Sequence, residues 1–203
     1  MGKIEQNKRR KKEKILKNAY QLFLKKGIEK TSVSDITKSA GVAKGTFYLY
    51  FEDKYEIRDR LITHMASKLF THASLALSGK ALSSVEDKII FIANNIIEQL
   101  KENKPLLMFI TKNLSWGVFK EAISVLPDEE DVDFFLIYKK IIENSPSVSF
   151  KDPELMLFMI IELVSSTCYS TILYNDPVPI DKLLPYLNDT IRDIIARHKF
   201  VTA

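Results

Sequence analysis

The sequence predicts an all-α protein of nine or ten helices, and three observations carry that expectation. Apolar residues recur at helical spacing in one segment after another, and no stretch alternates with the period of two that a strand needs. Only six of the 203 residues are glycine, too few for a turn-rich β fold or a phosphate-cradling loop. Serine, aspartate and proline fall where helices would start; glycine, asparagine and proline fall where they would stop.

Composition bounds the rest. At 46% hydrophobic and 28% charged the chain is an ordinary globular sequence with enough apolar residues for a sizeable core. The single cysteine, Cys168, excludes an internal disulfide and a cysteine zinc finger. The longest apolar run, residues 155–161, is seven long and ends at Glu162. A bilayer span needs about 20 residues, so no membrane helix is expected. The basic N-terminus lacks the apolar core of a signal peptide, and a cytoplasmic protein is expected. Residues 1–60 carry sixteen Lys/Arg against eight Asp/Glu; residues 61–203 carry fourteen against eighteen. A basic first third on a mildly acidic body is the balance of a nucleic-acid-binding module joined to something else.

The helices follow in order. Residues 1–8 read as a polar, frayed arm. The first helix runs to about Lys26, with Ile15, Leu16, Ala19, Leu22 and Phe23 on its apolar side and Gly27 as its C-cap. Ser32 caps a short second helix, with Asp35 in its first turn and Val33, Ile36 and Ala40 on one side. Gly41 breaks it, and a third begins at once, with Phe47 and Phe51 one turn apart on its inner side. Asp53 with Glu56 opens a fourth, reaching about Leu77. Ser83 with Glu86 opens the next, and Pro105 the one after, ending near Ser115. Further helices are expected over 116–125 and from the acidic cluster 128–131 to Asn144. Asp152-Pro153 is a cap with proline at the first helical position, opening a strongly apolar helix to Tyr174. The last covers about 180–198, where Pro185 must kink it or delay its start.

The sharpest local signal is residues 31–54, TSVSDITKSAGVAKGTFYLYFEDK. Two short helices meet at a tight turn holding Gly41. The first is too short to bury itself and needs a neighbour on each side, which makes a three-helix helix-turn-helix unit. In such units the second helix of the motif enters the major groove. Lys44 and Tyr48 lie one turn apart on its outer face. Gly45 lets a phosphate or base edge come close, Thr46 offers a hydroxyl and a methyl, and Tyr50 a phenol. Lys54 is a candidate phosphate cation, and the amides of Thr31, Ser32 and Val33 form a candidate anion site at a helix N-terminus. Lys8, Arg9, Arg10, Lys11 and Lys12 are candidates for the flanking backbone.

Residues of about 9–69 resemble the N-terminal domain of TetR-type (TetR/AcrR) transcriptional regulators. The resemblance rests on Thr31, Ile36, Ala40-Gly41-Val42, Gly45-Thr46-Phe47-Tyr48 and Tyr50-Phe51-Glu52-Asp53-Lys54. Tyr50 departs from it, since histidine is commoner there. Lys44 stands at a position that varies in the family. The resemblance implies a DNA-binding domain over 9–69, with its motif about 32–51, and a helical ligand-binding and dimerisation domain over 70–203. It implies a double-stranded DNA operator, a small-molecule effector, a homodimer and no cofactor.

In the body, the large side chains Met108, Phe109, Trp116, Phe119, Phe134, Tyr138, Met156, Met159 and Tyr169 are candidates for a ligand pocket or for the core. Glu162 interrupts an apolar stretch and is exposed, paired or facing a cavity. Leu183, Leu184, Leu187, Ile191, Ile194 and Ile195 form one stripe on the last helix, read as half of a four-helix dimer interface. His64, His72 and His198 lack metal-ligand spacing, and Ser165, Ser166 and Cys168 lack a histidine partner in sequence reach. The leading reading is a ligand-responsive DNA-binding repressor. A helical scaffold binding RNA or an acidic protein, and an all-α enzyme, are its rivals.

Overall fold

The computed structural model describes residues 2–113, 139, 141–142 and 148–200. The helices expected over 116–125 and from 128–131 to Asn144 lie outside the described residues. Among the described residues the protein is all-α, with eight helices and one minimal strand pair. The chain divides into two compact units, Met1–His64 and Met65–Ala203, and the division falls inside a helix.

The first unit holds α1 (Lys3–Lys26), α2 (Val33–Ala40), α3 (Lys44–Tyr48) and the start of α4 (Lys54–Ser78). Helix α1 begins at Lys3, so most of the expected frayed arm is helical. Gly27 ends it at φ +81°, ψ 160°, a backbone conformation that side chains disfavour. Gly41 ends α2 in the left-handed region at φ +64°, ψ 39°. At the head of α4, Asp53 Oδ1 accepts from the amides of Tyr55 and Glu56 at 2.8 and 2.9 Å. Ile15, Ala19, Ile36, Phe47, Ile57 and Ile62 form the core of this unit and are almost wholly buried.

The second unit holds the rest of α4, then α5 (Val85–Glu102), α6 (Lys104–Asn113), α7 (Pro153–Tyr174) and α8 (Ile180–His198). The cap of α5 is Ser84 with Asp87, one residue after the expected Ser83–Glu86 pair. At α7, Pro153 occupies the first turn as expected, but Asp152 makes no side-chain cap. Pro185 sits inside a helix that starts at Ile180, so it does not delay the start. Strands β1 (Ser149–Phe150) and β2 (Lys199–Phe200) pair antiparallel, a two-residue ladder where no strand was expected. Three ion pairs join α8 and β2 to α5: Arg192–Asp87 at 2.7 Å, Lys199–Glu86 at 2.9 Å and Lys101–Asp181 at 3.2 Å.

Two expectations change here. The stripe on α8 packs inward, because α8 lies against α7 and α5. Leu187, Ile191 and Ile195 are buried within the single chain, and Leu183, Leu184 and Ile194 are half-buried against the same core. The outward side of α8 carries Tyr186, 75% exposed. Helix α7 also reads differently. Across Glu162 it holds an 18-residue window of mean hydropathy 1.6, long and apolar enough by composition to cross a bilayer. One third (33%) of that window is buried, against α5, α6 and α8.

Candidate nucleic-acid interface

Two residue pairs build the open face of α3. Lys44 and Tyr48 are one turn apart, and so are Gly45 and Leu49, which follows α3 with helical dihedrals. All four are exposed, Tyr48 by 54% and Leu49 by 80%. The opposite side is anchored: Phe47 and Phe51 are buried with ring centroids 5.8 Å apart. Tyr48 stands edge-on to Phe47 at 5.3 Å, which holds the phenol ring on the open side. A Cβ built at Gly45 would meet nothing within 4 Å, so the unit itself does not require glycine there. Its absence leaves backbone that another molecule can approach. Thr46 and Tyr50 are half-buried at the margins of this face. Leu49 was missed in the sequence, although its spacing from Gly45 places it on this face.

Three of the other expected DNA contacts, Thr31, Ser32 and Lys54, are engaged within the unit. Thr31 is buried; its hydroxyl donates to the Gly27 carbonyl at 2.7 Å and its amide to the Ile28 carbonyl at 3.0 Å. It is a tie in the α1–α2 turn, which corrects its reading as an anion contact. Ser32 is exposed, but its amide donates to Asp35 Oδ2 at 2.9 Å and its hydroxyl to the same oxygen at 2.8 Å. Val33 is half-buried. Lys54 is the larger correction. Its ammonium donates to the carbonyls of Ile28 and Glu29 at 3.0 and 3.1 Å, with the side chain 18% exposed. It ties the head of α4 to the α1–α2 turn, so its cation does not stand free for a phosphate.

Asp35 is the electrostatic centre of this turn. Lys26 Nζ lies 2.7 Å from its carboxylate, and that hydrogen bond, with those of the Ser32 amide and hydroxyl, holds its pKa well below the usual 3.8. A depressed carboxylate stabilises the fold fully above its unfolded pKa and loses that contribution as pH falls towards the folded value. Asp35→Asn is therefore expected to lower the melting temperature at pH 7 and to match the wild type more closely as pH drops below about 4. Circular dichroism melts from pH 7 to pH 2 check this. A difference that stays constant with pH would show that the charge is not what stabilises the turn.

A second feature lies in the second unit. A cavity of about 120 Å³ opens between α4, α5, α6 and α7. Its wall is almost wholly aliphatic, with Phe70 as the one ring and Thr111, Ser165 and Cys168 as the polar atoms among the described residues. Burial pushes the Cys168 thiol up to about 11. None of the described pocket candidates lines it. Met108 is 40% exposed, Glu162 is exposed, Met159 and Tyr169 are half-buried elsewhere, and Phe109 and Met156 are core residues. Trp116, Phe119, Phe134 and Tyr138 lie outside the described residues.

Residues 15–61 match the family model described as bacterial regulatory proteins, tetR family. The uncharacterized HTH-type transcriptional regulator YvdT of Bacillus subtilis is 46% identical over 68 residues, covering 34% of this chain and 33% of that protein. The chain thus spans about a third of that relative's length. A putative TetR-family regulator from Syntrophomonas wolfei has a similar fold, with TM-score 0.67, 20% identity, and 94% and 96% of the two chains covered. The Bacillus subtilis regulator FadR, solved in complex with stearoyl-CoA, aligns with TM-score 0.55 and 17% identity over 88% and 96%. The first unit is therefore similar, over residues 15–61, to the helix-turn-helix domain of TetR-type regulators.

Proposed function

We propose that this chain, with its TetR-type DNA-binding domain, is a homodimeric repressor of transcription that a small apolar or amphipathic molecule releases from a palindromic operator. The observation that carries the reading is the face of α3, where a cation, a phenol, bare backbone and an aliphatic side chain stand exposed on a helix anchored by two buried rings. A helix of that kind presents side chains to base edges in the major groove. Two copies are needed, because half-sites of a palindrome lie about 34–36 Å apart. The dimer contact falls on the outward flanks of α7 and α8, where Leu155 is 50%, Tyr174 65% and Tyr186 75% exposed. The effector site is the aliphatic cavity, which suits the buried part of an apolar molecule. That FadR was solved with stearoyl-CoA supports a ligand of this character. Such a regulator acts in the cytoplasm, where it meets the chromosome, and its work is binding rather than catalysis.

Fluorescence anisotropy with duplexes from the DNA flanking its own gene tests this. The wild type should bind one pseudo-palindrome in a salt-sensitive way and release it when an aliphatic effector is added. Tyr48→Phe should weaken binding by about 1.5–3 kcal/mol, the scale of one hydrogen bond to a charged group. Lys44→Ala should weaken it as well. Unchanged affinity in both variants would show that another helix contacts the DNA, and no binding to any duplex would end the reading.

A further inference from the structure

We propose that Leu49 is a specificity-determining residue that selects thymine through its C5-methyl group, an inference that rests on reading α3 as the helix in the major groove. Leu49 is 80% exposed, more than any other large apolar side chain among the described residues. It cannot turn inward, because Phe47 and Phe51 fix the register of this segment by occupying the core on either side of it. A leucine held in water gains nothing for the fold of its own unit.

Its surroundings narrow what it can meet. Lys44, Gly45 and Tyr48 share the face, so the leucine is a single aliphatic group set among a cation, open backbone and a phenol. A protein partner would call for a wider apolar patch. A major groove fits the mixture: phosphates suit the cation, base edges suit the phenol, and thymine alone among the bases presents a methyl group. Opposite any other base, an isobutyl group would cover a donor or acceptor without pairing it. Leu49 therefore favours thymine both by contact and by the penalty it imposes on the alternatives.

The experiment begins with duplexes selected from a random library by the wild-type protein. Each thymine of the selected site is then replaced in turn by deoxyuridine, which lacks only the methyl. At one thymine per half-site, deoxyuridine should weaken wild-type binding about fourfold, the affinity equivalent of one buried methylene-sized group. Leu49→Ala should bind thymine and deoxyuridine there equally, with an unchanged melting temperature because the side chain is exposed. The proposal is overturned if Leu49→Ala keeps the wild-type deoxyuridine pattern, or if the wild type is insensitive at every thymine. It is also overturned if Leu49→Ala changes the mass of the free protein in solution, which would assign the residue to contact between copies. Failure to select any duplex would instead overturn the reading of α3 on which it rests.

Discussion

Shortening Ile191 to alanine is expected to destabilise the second unit by about 2–5 kcal/mol, the range for removing a large aliphatic side chain from a packed core. Ile191 is fully buried on the face of α8 that packs against α7 and α5. Alanine there loses the transfer of three carbon atoms from water and leaves a void that the two neighbouring helices close only in part. Tyr186, on the outward side and 75% exposed, sets the contrast. Tyr186→Ala should change stability within about 0.5 kcal/mol at high dilution and act, if at all, on association between copies. Urea unfolding at two protein concentrations separates the two effects. If Ile191→Ala leaves the unfolding of the dilute protein unchanged and shifts only its dependence on concentration, the stripe is an interface between copies and not the core of one.

The α8 stripe shows where sequence reading stops. The stripe from Leu183 to Ile195 was legible as a buried face, because helical spacing records that a face is apolar. Spacing does not record what covers it, and here α5 and α7 bury Leu187, Ile191 and Ile195. The same limit applies at the head of α5. Ser83–Glu86 and Ser84–Asp87 are both well-formed serine and acid pairs, and packing of the helix chooses the second. The Ser32 and Gly41 boundaries were readable because capping is local, set by residues three or four apart. The cavity was not readable. Large flexible side chains were the natural candidates, yet the wall is built from isoleucine, leucine, alanine and valine contributed by four helices. Helical spacing was enough to place Lys44 and Tyr48 on one outer face, and both are exposed there. Thr31 was read at the start of α2 and Lys54 at the head of α4, but neither tie to the α1–α2 turn was foreseen, since a hydroxyl or an ammonium in a sequence does not show which carbonyls stand within reach.

Lys54→Met is expected to cost the first unit about 1.5–3 kcal/mol, the scale of hydrogen bonds made by a charged donor in a partly buried setting. Methionine keeps an apolar stem of similar length, so the change isolates the ammonium group. Without it, the carbonyls of Ile28 and Glu29 lose the donor that holds them at 3.0 and 3.1 Å. The ammonium also lies 5.1 Å from the centre of the Tyr55 ring, a contact that goes with it. The Glu29 carboxylate, at 3.9 Å and 79% exposed, adds little through screened solvent. A phosphate-binding lysine would behave otherwise. Its loss would leave stability alone, weaken all duplexes alike, and lower the slope of log affinity against log salt by about one. Thermal unfolding and salt titrations of DNA binding, run on the same variant, separate the two roles. A tie within the fold gives a lower melting temperature and an unchanged salt slope. A normal melting temperature with a slope reduced by one would return Lys54 to the DNA backbone and leave the α1–α2 turn held by Thr31 and by the Lys26–Asp35 pair.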